Sequence, residues 1–281
     1  MAAFVIVTTA DLPEAYFLAA CLEARAQRLA IVNIVARPVG SQLRILTRLR
    51  RNRGTRYVAD LALARMADVV ARRRTPHGAG AFPEVNARLV RRIRSRHPHI
   101  DCDDPHTGDV RAFVGRVAPD YILLAGCPIL KPSLYGLARR AALNRHLGLL
   151  PEFRGSDCAV WAFAMQRPDS AGYSIHVVNE RVDAGDVIVR RAVALGDEPC
   201  LGDYVRRLAR EGSNAFVELL DRLLHGAPLV AETQPWRGPY FPPAPWSVRR
   251  RAERNYARVL GARDARPPAR DRVPSGAPSS G

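Results

Sequence analysis

Asn144 and His146 have the types and the spacing for acyl transfer. An amide and an imidazole two residues apart on a strand project from the same side of it. The amide donates without titrating, and the imidazole gives or takes a proton near neutrality. When an amine attacks an acyl carbon, negative charge grows on the acyl oxygen and positive charge on the nitrogen. Such a reaction needs an oxyanion donor and a group to manage the amine proton. A carboxylate completes the set by orienting the imidazole and favouring its protonated form. Asp183, in Val182-Asp183-Ala184-Gly185-Asp186, supplies one from far along the chain. Singly, each has a plain structural explanation: Asn144 pins a strand end, His146 is a satisfied core histidine and Asp183 shapes a turn.

The elements that must position these residues read as an alternation of strands and helices. Residues 4–8 are a buried strand. Asp11-Leu12-Pro13-Glu14 opens a helix that runs to about Arg28, with Asp11 as its N-cap. Residues 30–36 are a second strand. This start predicts an α/β fold, a Rossmann-like and mostly parallel sheet flanked by helices, with a short C-terminal helical and irregular extension. The first turn, Thr8-Thr9-Ala10-Asp11, lacks the glycine fingerprint of a dinucleotide site. An apolar run at Tyr121–Ala125 is a buried parallel strand. Ala141–Leu147 is the strand that carries the amide and imidazole, and 172–178 and 187–193 are strands flanking Asp183. The organisation read from this pattern is a core over 1–200 with an arginine-rich helical insertion at 41–97. A C-terminal extension over 201–262 packs on the core, and 263–281 is a disordered tail rich in Pro, Gly and Ser.

Composition excludes several classes. The chain is 47% hydrophobic and 25% charged, ordinary for a globular protein. It has no apolar run of membrane-spanning length and no basic leader, so no membrane partner is expected and the cytoplasm is the default location. Cys21, Cys102, Cys127, Cys158 and Cys200 are scattered without a Cys-x-x-Cys pair, and are expected to be buried, reduced thiols. The segment His97–His106 is rich in His, Cys and Asp, but its spacing matches no ordinary ligand pattern, so no metal is expected. The net charge of +16 invites nucleic acid. Lys131 is the only lysine among 43 cationic side chains, however, a skew that reflects base composition as much as phosphate binding. Solvated helix faces account for the arginine clusters first, an anionic substrate or surface second, and nucleic acid is disfavoured as a partner.

Four submotifs occur in order: Asn144-x-His146; Leu150-Pro151-Glu152-Phe153-Arg154-Gly155; Gly172-x-Ser174-x-His176; and Asp183-x-Gly185, with Asp183 seven residues after His176. Together they resemble the 10-formyltetrahydrofolate-dependent formyltransferases, which include sugar N-formyltransferases, methionyl-tRNA formyltransferase and glycinamide ribonucleotide transformylase. The resemblance runs from about Pro119 to Val193. It implies an enzyme of one-carbon metabolism with 10-formyltetrahydrofolate as co-substrate, and Asn144, His146 and Asp183 as its catalytic residues. His176 is implied in support. The family's pterin loops correspond to Pro128, Ile129 and Leu130, and to Arg181 and Val182 beside Asp183.

The acceptor is the open half of the resemblance. The first turn lacks the purine enzyme's glycine-rich phosphate loop. Too few residues follow Glu198 for the tRNA enzyme's second domain, and strand one begins too early for a hydrolase's leading domain. What remains is an N-formyltransferase acting through a tetrahedral intermediate on a small biosynthetic amine, first a nucleotide-linked amino sugar, second a hydroxyornithine or amino-acid amine. A catalytically inactive binding protein on the same fold is the alternative of another class. No substrate-binding residue is assigned, and a homodimer stays open.

Overall fold

A computed structural model of the chain describes residues 1–35, 39–74 and 80–264. Seven strands form one sheet: β1 (Ala3–Thr9), β2 (Arg28–Ile34), β3 (His99–Cys102), β4 (Tyr121–Ala125), β5 (Ala141–His146), β7 (Gly172–Val177) and β8 (Val187–Ala192). A parallel two-stranded pair, β6 (Arg154–Gly155) and β9 (Tyr240–Phe241), lies apart from it. The order in the large sheet is β3-β2-β1-β4-β5-β7-β8. The first five are parallel, and β7 and β8 run antiparallel to their neighbours. The expectation of a mostly parallel α/β sheet holds.

Strand order reverses between β1 and β4, which places a crevice at the C-terminal edge of the sheet. The two ends of β4 and β5 that carry candidate residues open on that edge. The strands are continuous apolar runs because both faces are covered. One face packs on α1 (Pro13–Ala24), α4 (Ala87–Arg96) and α8 (Leu201–Leu224), through Tyr16, Leu22, Ile93, Tyr204 and Phe216. The other packs on α5 (Gly108–Val117) and α6 (Pro132–Tyr135), through Val110, Val114 and Leu134.

Several boundaries differ from the sequence reading. Leu12, not Asp11, takes the N-cap position of α1, because the Asp11 carboxylate is used elsewhere: it accepts from Tyr16 Oη and from Arg94. α1 ends at Ala24, since Ala26 adopts a left-handed backbone and turns the chain into β2. Of the five cysteines only Cys158 is fully buried; the other four are half-buried.

The arginine-rich insertion contains α2 (Val39–Arg53) and α3 (Thr55–Arg74), parted at Gly54. Its docking is polar and specific. Tyr57 Oη donates to the Pro243 carbonyl at 2.5 Å, Asp60 accepts from the Ser247 amide at 3.1 Å, and Asp68 accepts from Arg249 at 2.8 Å. α3 is thereby fixed to the start of α9 (Trp246–Asp264), which also packs on α7 (Cys158–Ala164). The last helix runs through Asp264, two residues into the stretch read as tail. The rest of that stretch, and most of the break at Pro76–Gly80, lie outside the described residues. Among the described residues no helix is long and apolar enough to cross a membrane.

Candidate active site

Asn144 and His146 sit at the last turn of pleat in β5, and Arg145 between them faces the opposite side. Antiparallel β7 brings His176 directly opposite Asn144 and Ser174 opposite His146. After β7 the chain loops out and returns as β8. Asp183 lies on that loop with φ of 48°, a left-handed conformation that aspartate tolerates better than most residues. The loop is held from three directions. Arg154, buried in the β6 pair, donates through Nε to the Val182 carbonyl at 3.0 Å. Gln234 Nε2 donates to the carbonyls of Asp183 at 3.1 Å and Gly185 at 2.8 Å. The Gly155 amide donates to Asp183 Oδ2 at 2.9 Å.

The carboxylate so placed meets all three partners that the sequence suggested. Asp183 Oδ2 lies 3.6 Å from His146 Nδ1, and Oδ1 lies 3.4 Å from His176 Nε2 and 3.5 Å from Asn144 Nδ2. These are contacts longer than good hydrogen bonds. The shorter bonds of the cluster point away from the carboxylate. His146 Nε2 donates to the Phe153 carbonyl at 2.7 Å, and His176 Nδ1 donates to the Val177 carbonyl at 2.8 Å. Carbonyls only accept, so each ring carries its proton there. His176 Nε2 is then an acceptor, and Asn144 Nδ2 donates to it at 3.1 Å. The Asn144 amide thus turns its N–H groups toward His176 and Asp183, and its oxygen takes no hydrogen bond among the described residues.

Two glycines make this approach feasible. A Cβ on Gly148 would stand 2.7 Å from His146 Nε2 and 2.8 Å from the Phe153 carbonyl, so any side chain there would split that bond. Gly155 has φ of 106°, a conformation open to glycine, and that twist aims its amide at Asp183. Ser174 ties the turn after β5 to β7: its hydroxyl accepts from the Leu150 amide and donates to the Gly148 carbonyl.

Burial pushes the His146 imidazole below its ordinary pKa, against the upward pull of Asp183. Burial pushes the Asp183 carboxyl up, but the charge of His146, the His176 hydrogen bond and the Gly155 amide outweigh it and hold the group well below the ordinary carboxylate range. The carboxylate is therefore charged and the His146 ring neutral near pH 7. A bare Nδ1 then faces a charged oxygen at 3.6 Å, a place where one proton would be welcome.

The two loops assigned to the pterin by resemblance flank this cluster on the same sheet edge. Leu130 is buried in the core cluster that Cys127 and Val178 also touch, whereas Ile129 is 68% exposed and Pro128 half-buried. Val182 is half-buried with its carbonyl taken by Arg154; Arg181 is exposed. Gln234 Oε1, on the residue that clamps the Asp183 loop, is buried without a partner. The His97–His106 segment is dispersed: Asp101 pairs with Arg94 and Asn33, and His97 approaches Glu23. Sequence reasoning missed Gly148, Ser174 and Gln234 as parts of the site; Gly148 and Ser174 stand beside or in a submotif, whereas Gln234 lies outside all four.

The formyl transferase family model matches residues 66–220, just over half of the chain. A methionyl-tRNA formyltransferase of Chlorobium chlorochromatii is 30% identical over 151 residues, 54% of this chain and 47% of that protein. One from Anaeromyxobacter dehalogenans is 34% identical over 171 residues, 60% of this chain and 54% of its own. The chain thus spans about half the length of the curated relatives it matches. Among solved structures, a sugar N-formyltransferase from a Shewanella species superposes with a TM-score of 0.52 at 14% identity, covering 85% of this chain and 76% of that one. A phosphoribosylglycinamide formyltransferase from Anaplasma phagocytophilum gives 0.54 at 14%, covering 80% and 88%. These two likenesses speak for the fold; the family match, spanning Asn144, His146 and Asp183, places the chain in the formyl transferase family.

Proposed function

We propose that this protein is an N-formyltransferase that moves a formyl group from 10-formyltetrahydrofolate to the amine of a small acceptor carried on an anionic nucleotide, with an amino sugar as first choice. The observation that carries the reading is the convergence of Asn144, His146 and His176 on the single charged carboxylate of Asp183. The residues present suit a reduced folate. Half-buried Val178 and exposed Ile129 offer apolar surface for a flat ring, and the orphaned Gln234 Oε1 offers an acceptor for a ring N–H. The folate supplies the activated formyl carbon.

The chain's own groups supply the rest. The bare His146 Nδ1 and Asp183 Oδ2 would share the proton lost by the amine and return it to the folate nitrogen as its bond to the formyl carbon breaks, so that tetrahydrofolate leaves neutral at that nitrogen. Asn144 serves in one of two orientations. As it stands, its oxygen can accept from the amine N–H. Turned over, its N–H groups would meet a developing oxyanion, and His176 would need a second proton to replace the bond it loses. His176 and Gly155 hold Asp183 in place for both.

The test is a panel of amines with 10-formyltetrahydrofolate, followed by absorbance as tetrahydrofolate forms. Transfer to a nucleotide-linked 3-amino or 4-amino sugar is expected, or failing that to an ornithine-type amine. Charged initiator tRNA belongs in the panel because the relatives of highest identity above are methionyl-tRNA formyltransferases. Faster transfer to tRNA than to every small amine would overturn the choice of acceptor and leave formyl transfer standing.

A further inference from the structure

The first helix of the insertion, α2, is covered by almost nothing. From Leu43 to Arg53 every residue is exposed except Leu49, which is half-buried. Leu43, Ile45 and Leu46 stand 42–58% exposed. Its main neighbour is α3, which does not wrap these side chains. The inner side of α3 buries Leu61 and Ala64 and bonds to the start of α9, and its own Leu63 and Met66 face solvent.

Charge is sorted around α2 as well. At about 3.6 residues per turn, Arg44, Arg48 and Arg51 fall on one side and Leu43, Ile45, Leu46 and Leu49 on the other. Arg50 and Arg53 flank the apolar side in the last turn, where a cation suits the helix dipole and a long stem can carry its head aside. The helix contains no acidic residue. Arg44 and Arg48, Arg48 and Arg51, and Arg50 and Arg53 are like-charged neighbours three or four residues apart, an arrangement that destabilises a helix. A helix of 15 residues draws most of its stability from the packing of its apolar side. α2 has little such packing and no compensating charge of its own. A partner must supply both an apolar layer and a negative one.

We infer that α2 docks on an anionic lipid surface. The helix lies in the plane of the bilayer, Leu43, Ile45 and Leu46 enter the acyl boundary, and the arginines meet the headgroup phosphates. The lack of a spanning run does not bear on this, because a helix lying in the interface needs none. Three other occupants suit α2 less well. A second copy would set one group of arginines against another. A nucleic acid would pair with the arginines and leave the leucines in water. A folded protein is held at its hot spots by aromatic side chains as well as arginine, and α2 has no aromatic residue. A bilayer asks only for an amphipathic, cationic helix.

The test is co-sedimentation of the full chain with vesicles. Phosphatidylcholine vesicles containing about one-third phosphatidylglycerol are compared with vesicles of phosphatidylcholine alone. Binding at least about tenfold tighter to the anionic vesicles is expected, weakening as salt is raised. Because the chain carries a net charge of +16, docking by α2 must be separated from charge alone. Leu43→Ser/Leu46→Ser keeps every charge and should weaken binding about tenfold; Arg44→Gln/Arg48→Gln/Arg51→Gln should weaken it at least as much. Removing the same charge from α4 and α5, with Arg88→Gln/Arg91→Gln/Arg116→Gln, should leave it nearly unchanged. All the substituted side chains are exposed, and circular dichroism checks that each variant keeps its fold. The inference is overturned if the anionic vesicles bind no more tightly than the neutral ones, if the leucine variant binds as the wild type does, or if the α4–α5 variant loses as much as the α2 arginine variant. A dimer in solution that the leucine variant breaks would give this face to a second copy and overturn it too. So would a short RNA duplex that binds more tightly than the vesicles at physiological salt and is released by loss of the α2 arginines.

Discussion

β5 has a buried carboxylate on each side, and the two are held in opposite ways. Behind the strand, Arg145 grips both oxygens of Glu14 in a two-pronged ion pair, and Ser213 adds a hydrogen bond at 3.1 Å. In front, Asp183 takes one short bond, from the Gly155 amide, and meets three side chains at 3.4–3.6 Å. Both pairs are nearly sealed from water. The Glu14–Arg145 pair has its charges matched at bonding distance and leaves the carboxylate nothing further to do. The Asp183 cluster is bonded outward from its rings, toward Phe153 and Val177, which leaves slack around the carboxylate itself. A carboxylate saturated by its partners, like Glu14, stabilises geometry; a slack one can take up and release a proton.

The comparison breaks most visibly if Glu14 is truncated. Glu14→Ala leaves Arg145 charged and unpaired in the core, which should cost about 3–5 kcal/mol of unfolding free energy. Replacing both partners by Leu and Met should recover most of that. Guanidinium denaturation measures both, and a loss under about 1 kcal/mol for the single variant would mean that water reaches the pair. On the front side the order inverts. Asn144→Ala, His146→Ala and Asp183→Ala should each lower turnover at least about a hundredfold while shifting the denaturation midpoint far less than Glu14→Ala does. Near-normal turnover in any one of them removes that residue from the mechanism.

Acid should tell the two sides apart more gently. The His146 pKa is lowered in the fold, so the unfolded chain binds the extra proton first. The contribution of a neutral His146 is fully present above the unfolded value of about 6.5 and is lost as pH falls below it. Asp183, also lowered, adds its own loss below about pH 3.9. As pH falls below about 6.5, stability should therefore fall with a slope of up to about 1.4 kcal/mol per pH unit in the wild type, and His146→Gln should flatten it. An unchanged slope would show that His146 does not titrate there. Two changes are expected to do nothing measurable. Prolonged chelation should leave turnover intact; restoration by zinc after its loss would reopen the His97–His106 segment. Deleting residues 267–281, which lie outside the described residues and contain almost no apolar side chain, should leave melting temperature and turnover unchanged.

How much of this was legible follows from what sequence patterns encode. Apolar runs at Phe4–Val7 and Tyr121–Ala125 read as buried parallel strands because nothing else so short is apolar throughout. The ordered submotifs located Asn144, His146 and Asp183, and β5, β7 and the Asp183 loop bring them together. Direction was not legible. That the Asn144 amide turns its N–H groups inward depends on which nitrogen of His176 is free, and that is set by the Val177 carbonyl. Arg154 stands in a submotif whose spacing does not say what it holds; its three side-chain nitrogens all donate, to the Val182 and Gly238 carbonyls. Glu14–Arg145 escaped notice because its partners are 131 residues apart, although an arginine inside an otherwise apolar strand is the signal that a buried partner must exist.

The clasp between α3 and α9 joins residues 186 apart in sequence, Tyr57 to Pro243. On the ribosome, the insertion's helices emerge long before the segment that receives them. Until residue 249 leaves the exit tunnel, Tyr57, Asp60 and Asp68 have nothing to hold, and the arginine-studded α2 hangs from half a protein. Contacts of such long range form late and slow the final step of folding. The helices of the insertion are therefore set in place only after the segment that receives them has emerged.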